Sequence, residues 1–221
     1  MSNQSITKDG PADFPLAGSG WADAIWDVGR EFGTIAARRG DFDIEITTYR
    51  SEEYDPDSRK PAVEYGDTLV GDLGRRDFTV NSMAFTLGVN ELVDPFNGSN
   101  DLQERRLMTP AAPEQSFSDD PLRMLRAARF ISQLEVAPDP SITAAVTAMA
   151  DRLTIVSAER VRIEFDRLMT TKRPTFGLWF LVDTGLVDHF LPEMKLMRLE
   201  QDPIHRHKDV LTHTLAVVEN V

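Results

Sequence analysis

Ser118-Asp-Asp-Pro-Leu-Arg-Met-Leu-Arg-Ala-Ala-Arg-Phe130 opens a helix, and the rest of the chain is read outward from it. Asp120 is placed to cap it and Pro121 to fill its first position, where a missing N–H costs nothing. Leu122, Leu125, Ala128 and Phe130 give it an apolar side. Downstream, Pro138 and Pro140 separate it from a helix over Ile142–Leu153. Ser157 caps another, a third follows Pro174, and a last runs from about Asp209 to the end. Upstream the pattern is mixed. Trp21–Trp26 has helical spacing, Gly33–Ala37 and Ile44–Tyr49 read as strands, and Arg39-Gly40-Asp41 is the turn between them. Ser51–Asp67 is polar and proline-bearing and reads as a long loop. Phe78–Phe85 is helical or helix-to-strand, and Glu91–Asp94 is a short strand stopped by Pro95. The expected fold class is therefore α/β (α+β) followed by an all-α region.

Composition limits the function only weakly. The chain has 221 residues, 41% of them hydrophobic and no cysteine, which supports a real core and excludes disulfides and thiolate metal sites. No apolar run spans a bilayer, and Met1–Gly20 reads as a flexible leader without a signal peptide. These features fit a cytoplasmic protein. The net charge of −12 argues against nucleic acid, but basic and acidic residues nearly balance between Leu102 and Arg173, so the acid lies elsewhere.

Three segments carry chemistry. Gly74-Arg-Arg-Asp-Phe-Thr-Val-Asn-Ser-Met-Ala84 gathers polar groups at one helix end. Arg75 and Arg76 there suit a triphosphate through paired charge-assisted hydrogen bonds, or else serve capping and surface ion pairs. In the opening stretch, Asp120 and Arg123 are neighbours on one helical turn, and Arg126 and Arg129 continue that side. The plain alternative is capping by Asp119 and Asp120 with solvated arginines. The sharper one is base selection. Cytosine and adenine both set an exocyclic amine beside a ring-nitrogen acceptor, which suits a carboxylate and a guanidinium. Guanine and uracil put a carbonyl where the amine would be. The third segment, His205-Arg-His207 to His213, is conceivable as a metal site but has no later His-Asp pair to complete it.

Together these segments resemble the class II tRNA nucleotidyltransferases, with which bacterial poly(A) polymerases are grouped. The resemblance runs from about Trp21 to Val221. Arg75-Arg76-Asp77 through Asn81 and Ala84 looks like the motif that holds the ribose and phosphates of an incoming nucleotide. Asp94-Pro-Phe-Asn-Gly98 with Asp101-Leu102 looks like the joint between head and neck. Asp119-Asp120-Pro-Leu-Arg123 looks like the protein-side template, with Asp119 where the family often has Glu. Arg126 and Arg129 match arginines facing the triphosphate, and Ser157-Ala-Glu159-Arg160 looks like the helix-turn that braces the neck. The resemblance implies CTP and ATP as substrates, tRNA as partner, magnesium (Mg2+) as cofactor and no membrane partner.

The departures carry expectations too. The family's Gly-Gly-x-Val-Arg-Asp turn and Asp-x-Asp pair have no match in Met1–Gly20. Glu45 corresponds to a later, supporting carboxylate, and Asp41 and Asp43 read as turn and solvent-facing residues. The end resembles the start of an HD-type phosphohydrolase domain, with His213 as its first ligand position. The expected division is a leader at 1–20, a partial, N-terminally incomplete nucleotidyltransferase head at 21–98, an all-α neck at 99–200, and a truncated HD-type start at 201–221. Such a chain, cut at both ends, is expected to be inactive alone. A poly(A) polymerase and a non-catalytic nucleotide- or RNA-binding remnant are the rival readings. An HD phosphohydrolase is disfavoured by the missing pair.

Overall fold

The structure is a computed structural model that describes residues 22–26, 34–47, 49–53, 62–65, 68–198 and 210–219. The expected leader and the His205–His207 cluster lie outside the described residues. The chain divides into two compact units, one ending at Asp72 and the other beginning at Leu73.

In the first unit, β1 (Ala24–Trp26), β2 (Thr34–Arg39) and β3 (Phe42–Thr47) form an antiparallel sheet in that order. The expected turn joins β2 to β3, with Gly40 at φ +56°, a conformation that favours glycine. The helical spacing of Trp21–Trp26 is overturned, because β1 pairs with β2. A helix of that length would have to nucleate for few hydrogen bonds. As a strand it is tied at once: Asp23 N–H donates to Arg38 O, and Asp23 Oδ2 accepts from Gly40 N at 2.7 Å. The expected loop over Ser51–Asp67 is also corrected. β4 (Arg50–Glu53) and β5 (Ala62–Tyr65) pair antiparallel within it, since ladder bonds use only backbone groups and paired charges do not forbid them. A short helix, α1 (Leu69–Gly74), follows.

The second unit keeps the expected helix-to-strand passage. A 3-10 turn at Thr79–Asn81 leads to the hairpin β6 (Ala84–Thr86) and β7 (Glu91–Val93). Asp94 then caps α2 (Gly98–Gln103), accepting from Gly98 N, Ser99 N and Ser99 Oγ. Gly98 lies so close to the Thr79 carbonyl that a Cβ would stand 2.1 Å from its oxygen. β8 (Arg106–Leu107) pairs in parallel with β9 (Ala137–Pro138), two residues each and too short to show in the sequence pattern.

The remaining elements are helices: α3 (Pro113–Asp119), α4 (Leu122–Leu134), α5 (Pro140–Met149), α6 (Ala158–Met169), α7 (Pro174–Asp183), α8 (Glu193–Leu196) and α9 (Val210–Val218). The core gathers around α4, which buries Leu122, Met124, Leu125, Ala127, Ala128, Phe130 and Ile131 against α6 and α7. Gly177 permits the close approach of α7, because a Cβ there would sit 2.2 Å from Ala128 O. Ser132 of α4 secures the crossing: its buried hydroxyl accepts from Gly177 N at 2.8 Å.

Candidate nucleotide-binding site

The start of α4 is built as the sequence predicts, within a residue. Asp120 is extended, and Pro121 already has helical backbone. Asp120 Oδ1 accepts from Leu122 N at 3.1 Å, satisfying a helix-end donor. Its Oδ2 accepts from Arg160 Nη2 at 3.2 Å, an ion pair reaching over from α6. Ser157 caps α6 as expected, accepting from Arg160 N. Asp120 and Arg123 share the first turn, where Arg123 N donates to Asp120 O. The Arg123 guanidinium is engaged elsewhere: Nη1 donates to Ser116 Oγ at 2.9 Å and Nη2 to Arg75 O at 2.6 Å. The base-reading candidate is thus tied to the 75–81 segment. Asp119, at the end of α3, accepts from Gln115 Nε2.

Arg76, Asp77 and Asn81 are brought together as well. Arg76 Nη1 donates to Asn81 O at 3.0 Å, and Asn81 Nδ2 donates to Asp77 Oδ1 at 3.0 Å. Asp77 is buried and also accepts from Phe78 N and from Nε and Nη2 of Arg126. Those four bonds fill the acceptor sites of a carboxylate.

Arg126 and Arg129 are not solvated side chains, so the plain alternative fails for them. Glu164, on α6, is nearly fully buried. It accepts from Arg129 Nε and Arg167 Nη1, each at 2.8 Å, and lies 3.6 Å from Arg126 Nη1. Neither Glu164 nor Ser116 was among the expected site residues. The signal for Glu164 was present: Val161, Glu164 and Leu168 are buried on one helical face, and a charge on an apolar stripe calls for partners.

Glu45, Glu159 and His213 take part in none of these bonds. Glu45 is exposed on β3 in the first unit, and its strand neighbour Asp43 is held by Arg38. Arg38 keeps the Asp43 carboxyl below the usual range through that hydrogen bond. Glu159 is exposed in the first turn of α6, and His213 is exposed on α9. Among the described residues no three His, Asp or Glu side chains gather as metal ligands. The described donors therefore do not fit a magnesium pair.

Comparison with known proteins decides the kinship. Residues 18–108 match the family model "Poly A polymerase head domain", and residues 136–197 match "Probable RNA and SrmB- binding site of polymerase A". The chain belongs to the class II CCA-adding enzyme and poly(A) polymerase family. It is 39% identical to the CCA-adding enzyme of Bacillus subtilis over 163 residues, which cover 73% of this chain and 41% of that enzyme. It is 37% identical to that of Streptococcus gordonii over 182 residues, 81% of this chain and 45% of the relative. Its fold is similar to the crystal structure of the Bacillus stearothermophilus CCA-adding enzyme in complex with CTP. That likeness has a TM-score of 0.66 and 32% identity over 74% of this chain and 39% of the other. The chain thus spans about two fifths of the length of the curated relatives it matches. Within the family's frame, Arg75–Asn81 lie in the head match, Glu159–Glu164 in the RNA-binding match, and Asp119–Arg129 between them.

Proposed function

We propose that this chain carries the base-selecting part of a tRNA nucleotidyltransferase that adds C and A to the tRNA 3′ end from CTP and ATP. One observation carries the reading. Asp120 and Arg123 share the first turn of α4, with the Asp120 carboxylate oriented by Leu122 N and Arg160. In this reading the carboxylate accepts from the base amine and the guanidinium donates to the ring nitrogen, so C and A are taken and G and U repelled. Arg75, Arg76, Asp77 and Asn81 support ribose and phosphate, Asp77 by holding Arg126, with Arg126 and Arg129 beside the triphosphate. Glu159 and Arg160 brace the turn, and Glu45 is a supporting carboxylate. The names of its relatives favour CCA addition, and a role in tRNA maturation is in keeping with a cytoplasmic reaction. Among the described residues no helix is long and apolar enough to cross a membrane.

The same proposal keeps the division into a leader, a partial head to residue 98, a neck to residue 200, and an HD-type start containing His213. Magnesium would assist phosphoryl transfer in the family reaction by neutralising developing charge. With the family's Gly-Gly-x-Val-Arg-Asp turn and Asp-x-Asp pair unmatched in the sequence, the 221-residue chain alone is expected to bind nucleotide without incorporating it.

Titration of the purified chain with CTP, ATP, GTP and UTP tests the reading. CTP and ATP are expected to bind, GTP and UTP not, and Arg123→Ala is expected to weaken CTP about tenfold or more. Unchanged CTP affinity in Arg123→Ala overturns it. Binding of ATP alone favours the poly(A) polymerase reading. Robust incorporation into a tRNA lacking CCA refutes the expected inactivity.

A further inference from the structure

Arg126 and Arg129 stand one helical turn apart on α4, and both reach Glu164. Its carboxylate is only 4% exposed, which is costly for an anion unless partners offset it. Arg129 Nε binds one oxygen. Arg167 Nη1 binds the other, and Arg126 Nη1 stands 3.6 Å from it. On its other side Arg126 is fixed by Asp77 through Nε and Nη2. Both α4 arginines also lie over the Phe130 ring, Arg129 at 4.2 Å and Arg126 at 5.6 Å from its centroid. Their side chains are 12% and 28% exposed, so each keeps an edge open to a ligand. Three guanidinium groups face two carboxylates, leaving the cluster one positive charge in surplus.

We infer that Glu164 is a positioning residue that sets Arg126 and Arg129 side by side to receive a triphosphate. The inference rests on the triphosphate role proposed above for those two arginines. Arginine is flexible, and two long side chains ordered before the ligand arrives lose less entropy on binding it. Asp77 fixes Arg126 from the 75–81 segment, and Glu164 fixes the pair from α6.

The sign of one substitution separates positioning from charge. Glu164→Gln keeps the shape and removes a negative charge, so electrostatics alone would tighten phosphate binding. Positioning predicts the reverse. The full 221-residue chain and its Glu164→Gln and Glu164→Asp variants are titrated calorimetrically with CTP, cytidine and inorganic triphosphate, with thermal melts alongside. CTP and triphosphate are expected to bind both variants roughly tenfold more weakly, with cytidine unchanged. Glu164→Asp keeps the charge and shortens the arm, so it carries the test if Glu164→Gln does not fold. Unchanged or tighter triphosphate binding overturns the inference, as does equal weakening of cytidine. Loss of a cooperative melt in both variants assigns Glu164 to folding alone and overturns it too. Failure of the base-reading proposal is seen separately, as CTP affinity that ignores Arg123→Ala while the triphosphate contrast persists.

Discussion

Asp94 shows how a single carboxylate holds the start of a helix in place. Burial pushes its pKa up, but the Ser99 hydroxyl and the N–H groups of Ser99 and Gly98 more than offset that, and the net shift is downward. A lowered folded pKa means the cap stabilises fully above the unfolded value of about 3.9 and is lost as pH falls through the lower folded value. Asp94→Asn is therefore expected to lower the melting temperature most above about pH 4. The gap should narrow in more acidic buffer, and a gap that ignores pH would contradict this. Asp139, lowered mainly by the Ser141 hydroxyl, caps α5 on the same terms. At this scale the sequence was informative where a residue acts on its own turn. Ser157 and Asp120 are caps with short-range logic. It paired Arg123 with Asp120 but gave no sign of the partners its guanidinium takes, which lie seven and 48 positions away. It put Arg126 and Arg129 on one side of α4 and, by resemblance, against a triphosphate, but did not name their buried anion, because Glu164 reaches them only once α6 packs on α4.

Among the elements, the crossing of α4 and α7 is set by the absence of one side chain. Gly177→Ala gains helix propensity of about 1 kcal/mol. It also drives a Cβ into the Ala128 carbonyl, and backbone cannot step aside as a flexible side chain would. Overpacking costs about 1–3 kcal/mol, and so close a backbone clash stands at the upper end, leaving a net loss of about 2 kcal/mol. At about 2–4 °C per kcal/mol for a chain of this size, the melting temperature should fall by several degrees. A variant as stable as the parent would mean that the helices can separate freely. Helices α4 to α7 were legible because each opens on a cap or a proline: Asp120-Pro121, Pro140, Ser157 and Pro174. β1 was not, since three residues carry no period, and their state is decided by the neighbouring strand. The β4–β5 pair was hidden by its charges, which speak about solvent and say nothing of the ladder.

For the whole molecule, the burial is lopsided. Among the described residues, Ala37 is the one buried apolar side chain before Leu73, while the second unit holds the rest. Stability that follows burial should follow this division. A fragment covering 73–221 is expected to melt cooperatively within a few degrees of the full chain and to retain its CTP affinity. A fragment that fails to fold would show that the first unit supplies essential support. The negative net charge was a poor guide at this scale, because a sum over the chain hides where the guanidinium groups cluster. The family resemblance, resting on ordered motifs, identified the kinship that composition could not. Helix α4 joins the two concerns of the molecule in thirteen residues: its first turn bears the candidate base reader, its middle the paired arginines, and its end the seat of α7. A substitution in this short stretch is therefore expected to register twice, in the melting temperature and, on the proposed reading, in which nucleotide the chain accepts.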